Sequence, residues 1–134
     1  MSNNKRPIYG TRDITKKKKL DPKQVNEAHK YLESMNKIKI NDFWEEIRDG
    51  VILCNTVNVI KPGTCKKFKK SKIAYVCRTN IQIFLEGCGK LGIPEVDLFE
   101  SRDLYDQQDL SRVVVTIYQL SAISRIHGFK GPFI

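Results

Sequence analysis

The sequence predicts an all-α fold: a compact helical domain of four main helices joined by short helical turns. Three observations carry this. Apolar residues recur at spacings of three and four over long stretches, which places them on one face of a helix. Proline, glycine and aspartate punctuate those stretches at their ends. The run that could pass for a buried strand, Val51 to Ile60, does not alternate apolar and polar residues, and there is neither an internal repeat nor a βαβ alternation. The chain of 134 residues favours one domain, and 40% hydrophobic with 29% charged residues is a globular composition.

Residues 1–20 read as a basic, flexible N-terminal arm, with Pro7, Gly10 and the run Lys16 to Lys19 but no apolar period. The first helix starts at Pro22, with Asp21 as N-cap, Gln24 in its first turn and Val25, Ala28, Leu32 and Met35 on its inner face. Asp42 is placed to cap a short helical turn through Phe43–Ile47, in which Trp44 reads as a packing anchor. Asp49-Gly50 then opens the run from Val51 to Ile60. Its apolar set does not alternate, and Asn55, Thr56 and Asn58 fall together on one side of a helical wheel. The segment therefore reads as a short, mostly buried helix stopped by Pro62-Gly63.

A longer helix is expected from Ser71 to about Leu91, with Ile73, Cys77, Ile81, Phe84, Leu85, Cys88 and Leu91 as its apolar stripe and Gly92 and Pro94 as its stop. Short elements follow, beginning at Leu98-Phe99 and at Leu104-Tyr105. Asp109 caps a last helix whose inner face is Leu110, Val113, Val114, Ile117, Leu120 and Ile123. Residues 127–134 form an irregular tail, expected to lead into further domains of a longer protein.

Six segments in this order resemble the calponin-homology (CH) family. They are the FWEEIRDGVILC box, the IKPG stop, the NIQIFL helix, the LGIP turn, the DLF and DLY pair, and the final helix LSRVVVTIYQLSAISR. The resemblance covers residues 21–126 and is nearest to the single, calponin/transgelin/Vav/IQGAP type. It implies a CH fold in which Leu53 and Phe84 occupy core positions.

Charge is uneven. The net charge is +9. Residues 1–24 hold eight Lys/Arg against Asp13 and Asp21, residues 61–72 hold six lysines and no acid, and residues 95–109 hold six acids against Arg102. A basic end and an acidic end in one small domain point to an acidic partner on the basic side. In CH domains that bind actin, the loop and helix equivalent to KPGTCKKFKKSK and its following helix belong to an actin-contacting surface. The resemblance thus implies actin contact by Lys66, Lys67, Lys69, Lys70, Lys72 and Arg78. The alternative it implies is a regulatory, autoinhibitory or protein-docking module of a larger signalling protein such as a Rho-family exchange factor, packing against other domains of the same chain. Either reading places the protein in the cytoplasm, the first on the cytoskeleton. Microtubules, whose tails are acidic, fit the same charge.

Other classes find little support. There is no nucleophile motif, phosphate-cradling glycine loop or paired metal-ligand spacing, so neither catalysis nor a cofactor is expected. The basic runs carry one aromatic residue, Phe68, which argues against nucleic acid. No apolar run approaches the roughly 18 residues of a membrane helix, and the N-terminus lacks the apolar core of a secretory signal. The four cysteines are expected as reduced thiols, with Cys54, Cys77 and Cys88 buried and Cys65 exposed in the lysine-rich loop, where nearby lysines favour its thiolate.

Overall fold

In a computed structural model, which describes residues 19–134, the chain forms six α-helices and one 3-10 turn, with no strand among the described residues. The helices are α1 (Pro22–Asn36), α2 (Phe43–Ile47), α3 (Val51–Ile60), α4 (Ala74–Leu91), α5 (Ser101–Tyr105) and α6 (Leu110–Ile126), with the 3-10 turn at Glu95–Asp97. The long elements are α1, α3, α4 and α6, as the apolar periodicity requires. The arm expected over residues 1–20 lies outside the described residues except for its last two.

The ends of the helices follow from local chemistry. Asp21 accepts the backbone N–H of Lys23 at 2.9 Å, and Pro22 occupies the position where a missing N–H costs nothing. The cap expected from Asp42 is made differently. Glu46 reaches back from α2, and its Oε2 accepts the N–H groups of Asn41 at 2.9 Å and Asp42 at 2.8 Å. Asp49 Oδ1 takes the Val51 N–H at 3.0 Å, while Gly50 adopts φ +82° at the head of α3. A side chain there would be strained by the backbone angle and would also strike Asn80 Cβ and the Ile81 nitrogen, each 2.9 Å from the added carbon. Close approach of α3 to α4 is thus built on this glycine.

Three boundaries differ from expectation. Helix α5 starts at Ser101 and ends at the Leu104-Tyr105 pair expected to open it, because Asp103 Oδ2 accepts the Glu100 N–H at 2.8 Å and starts the helix a turn earlier. Helix α4 begins at Ala74, three residues later than Ser71. The Ser71 hydroxyl accepts the Ile73 N–H at 3.0 Å, and its carbonyl accepts the Cys77 thiol at 3.2 Å. These local bonds give the backbone an alternative to the helix. The short element expected at Leu98-Phe99 lies just ahead of them, at Glu95–Asp97. Leu98 is extended, held by Arg112 Nη2 on its carbonyl at 2.7 Å, while Phe99 donates its N–H to Thr116 Oγ1 at 3.1 Å.

The core gathers around α3, which lies against both α1 and α4. Leu53, Cys54 and Val57 are fully buried there, beside Leu32 from α1, Ile81 and Phe84 from α4, and Ile117 and Leu120 from α6. Phe84 stacks on Phe99 with ring centroids 5.9 Å apart. Trp44 is half-buried and meets Phe43 edge-on at 4.8 Å, in keeping with a packing role. Asn36 ties the end of α1 to α3 by donating to Thr56 Oγ1 at 2.9 Å.

Truncating Leu53 leaves a cavity where three helices meet. Leu53→Ala is expected to lose about 2–5 kcal/mol of stability, read as a lower midpoint in urea denaturation at unchanged slope. A midpoint equal to that of the parent would remove α3 from the centre of the fold.

Candidate functional site

Between α3 and α4 the chain runs from Lys61 to Ile73 without regular secondary structure. A segment of this length is normally loose. Here two amide side chains, Asn58 half-buried and Asn80 buried, fasten it. Asn58, on α3, donates from Nδ2 to the Cys65 carbonyl at 3.0 Å and accepts the Cys65 N–H on Oδ1 at 2.8 Å. Asn80, on α4 and only 1% exposed, repeats the arrangement at Lys69. Its Nδ2 donates to the Lys69 carbonyl at 2.7 Å, and its Oδ1 accepts the Lys69 N–H at 3.1 Å. The second Nδ2 hydrogen goes to the Asp49 carbonyl at 2.8 Å. One carboxamide therefore joins the lysine segment, the turn before α3 and the body of α4. Phe68, between the two clamped residues, packs against the core as a third point of attachment.

The fixed backbone turns the lysines outward. Lys66, Lys67, Lys69, Lys70 and Lys72 are all exposed, and Lys67 takes the left-handed conformation, φ 67°, that reverses the chain at this point. Lys70 Nζ lies 3.7 Å from Asp49 Oδ2, a loose pair at the surface. The other four lysines make no ion pair among the described residues.

Arg78, expected with these lysines, is engaged elsewhere. Its guanidinium pairs with Asp106 at 3.5 Å and lies over the Tyr105 ring at 4.7 Å, a ring that Arg48 also covers at 4.0 Å. It thus faces α5, one turn along α4 from the lysine segment, with part of its charge already balanced.

Cys65 corrects the expectation of an exposed thiol: it is buried, with 3% of its surface accessible. Asn58 holds its backbone so that the side chain points inward, where Sγ donates to the Ile83 carbonyl at 3.7 Å. Gly87 makes the room, since a Cβ at that position would sit 2.7 Å from the sulfur. The Cys65 pKa is lowered, as expected, but chiefly by the neighbouring buried Cys54 thiol and not by the loop lysines; Lys90, on α4, adds a smaller effect. The same contact and burial push Cys54 far above its usual range, and burial does the same for Cys88.

The acidic end lies along another side of α4. Glu86, Glu95 and Glu100 rim an open groove of ≈ 680 Å³ floored by Leu85, Ile93 and Phe99. Its lining contains no cysteine or histidine, and among the described residues no group of three His, Cys, Asp or Glu is arranged to hold a metal ion. No helix of the described residues is long and apolar enough to cross a membrane.

Asn58 and Asn80 are the positioning residues that periodicity alone misses. The signal was present for Asn80, which falls on the apolar stripe between Cys77 and Phe84. A polar side chain at a core-facing position has to find partners.

The family model for the calponin homology (CH) domain matches residues 23–126. Rac guanine nucleotide exchange factor B of Dictyostelium discoideum is 35% identical over 127 residues, 90% of this chain and 11% of that protein. Myophilin of Echinococcus granulosus is 34% identical over 125 residues, 87% of this chain and 66% of that protein. The chain thus spans between about a tenth and two thirds of the length of these two relatives. The crystal structure of the calponin-homology domain of Rng2 from Schizosaccharomyces pombe superposes with a TM-score of 0.73 at 28% identity, covering 83% of this chain and 72% of that one.

Removing the Asn80 amide leaves the Lys69 N–H and the Asp49 and Lys69 carbonyls without their partner. Asn80→Ala is expected to cost about 1–3 kcal/mol of stability, the range for unsatisfied buried polar groups. Amide hydrogen exchange at Lys69 should accelerate well beyond the change at Leu53. Exchange rising equally at both residues would show that Asn80 supports the whole fold and not the segment.

Proposed function

Because the chain belongs to the calponin-homology domain family, we propose that it is a cytoplasmic, cytoskeleton-associated binding module that meets filamentous actin through Lys66, Lys67, Lys69, Lys70 and Lys72. The observation that supports this most is the clamped segment itself. Five exposed lysines within seven residues, on a backbone fixed at Cys65 and Lys69, form a compact positive surface with little internal neutralisation. Such a surface attracts an acidic filament from a distance and sets orientation on contact. Because the backbone is already ordered, binding does not carry the entropy cost of ordering a loop. Arg78 contributes less, since Asp106 and Tyr105 already hold it. The role is one of binding, with no catalytic step.

A second reading is a regulatory or docking domain of a longer signalling protein. It draws on the likeness to an exchange factor of which this chain spans 11%. The lysine surface then meets an acidic face of another domain in the same protein, and the isolated chain shows little affinity for actin.

Cosedimentation separates the two. The parent is expected to pellet with filamentous actin at low salt and to be released progressively as ionic strength rises, because exposed charges are screened over about 10 Å at 0.1 M. Reversing Lys66, Lys67, Lys69 and Lys70 to Glu should weaken pelleting by more than tenfold and leave the helical circular-dichroism signal unchanged, since all four side chains are exposed. A parent that fails to pellet at low salt removes the actin reading and favours the docking one. Pelleting with microtubules in place of actin would assign the surface to the other acidic filament.

A further inference from the structure

The lysine surface has apolar neighbours that charge patterning did not reveal. Ile73 and Tyr75 are 65% and 78% exposed, among the most exposed large apolar side chains of the described residues, and they follow directly on Lys72. Single exposed hydrophobic residues are ordinary. These two differ in their setting. They stand at the edge of the lysine segment on a held backbone, because Ser71 Oγ accepts the Ile73 N–H and Thr79 Oγ1 donates to the Tyr75 carbonyl at 2.9 Å. The domain does not use either for its own packing.

Lysines alone make a poor final contact. An exposed ion pair is worth little once water and salt are present, and a cluster of ammonium groups does not distinguish one acidic surface from another. Affinity in protein interfaces concentrates instead in a few anchors, with tyrosine prominent among them, ringed by polar groups that exclude water. An exposed aromatic residue and an exposed aliphatic one, two positions apart on a held backbone next to lysines, have that composition.

We propose that Ile73 and Tyr75 are the short-range anchor of the lysine surface, entering an apolar recess bordered by carboxylates on the actin filament. This rests on the actin reading above and adds to it. Binding then has two separable parts. The lysines supply a salt-sensitive part that governs encounter, and Ile73 and Tyr75 supply a salt-resistant part that governs retention. Apolar contact does not weaken as ions are added, so some affinity persists after the lysines are screened.

Full-chain variants test this by actin cosedimentation over a series of salt concentrations. Tyr75→Ala and Ile73→Ala are each expected to weaken binding about tenfold or more while leaving its salt dependence unchanged. Tyr75→Phe should keep most of the affinity. Val96→Ala serves as the control: Val96 is 79% exposed but sits between Glu95 and Asp97 at the acidic end, so its loss should change nothing. If Tyr75→Ala and Ile73→Ala bind like a pelleting parent, the anchor is refuted and the lysine surface stands. If the parent does not pellet, both fall together. Loss of binding to phosphatidylserine vesicles on Tyr75→Ala, with actin binding unchanged, would overturn the proposal by assigning the pair to a lipid surface.

Discussion

The carboxamide of Asn80 is the interaction on which the rest of this structure turns. It sits on the buried face of α4 and uses both hydrogens and its oxygen to hold Asp49 and Lys69. Its backbone carbonyl also takes the Cys54 thiol from α3 at 3.3 Å. A buried amide with no partners would destabilise the domain; a fully bonded one fixes which arrangement the chain adopts. Gly50 completes the contact by leaving no side chain where α3 crosses Asn80 and Ile81. The turn before α3, the lysine segment and the central helix are therefore positioned by one group. None of the three can shift without breaking a hydrogen bond to Asn80.

This arrangement fixes where the lysines stand. Lysine side chains are long and mobile, and on a loose loop their charges would be smeared over a wide volume. Here the disorder is confined to the side chains, because the backbone is tied at Cys65, Lys69 and, through the Ser71 hydroxyl, Ile73. The Asn80 and Asn58 amides present a pattern of charge, not merely an amount of it. The acidic groove on another side of α4 places opposite charge on a separate face of the domain.

Much of the fold was legible in the sequence, because the four long helices each carry an apolar stripe at helical spacing. That pattern is set by burial and survives local detail, so Val25 to Met35 and Val113 to Leu120 fall where periodicity puts them. What escaped was decided by side-chain bonding that period does not encode. Ser71 competes with the first turn of α4, Glu46 replaces Asp42 as a cap, and Asn58 turns Cys65 inward against Gly87. The lysines of the surface were visible as a charge run; of its clamps, Asn80 was marked by its place on the apolar stripe of α4, whereas Asn58 read as polar surface until its neighbours were known. Arg78 was grouped with the lysines by its sign, its place on the following helix and the family resemblance; in the structure its guanidinium lies over Tyr105 and beside Asp106.

The claim at the centre is that a buried amide, by fixing the backbone, makes the lysines a binding surface. The direct measurement is the actin dissociation constant of Asn80→Ala, taken at low salt and at a temperature where circular dichroism shows it fully folded. All five lysines are intact in this variant and its net charge equals that of the parent. Binding is expected to be several-fold weaker, since the freed segment has to be ordered on contact. An affinity equal to the parent's, alongside fast exchange of the Lys69 amide, would contradict it: charge would then suffice without geometry.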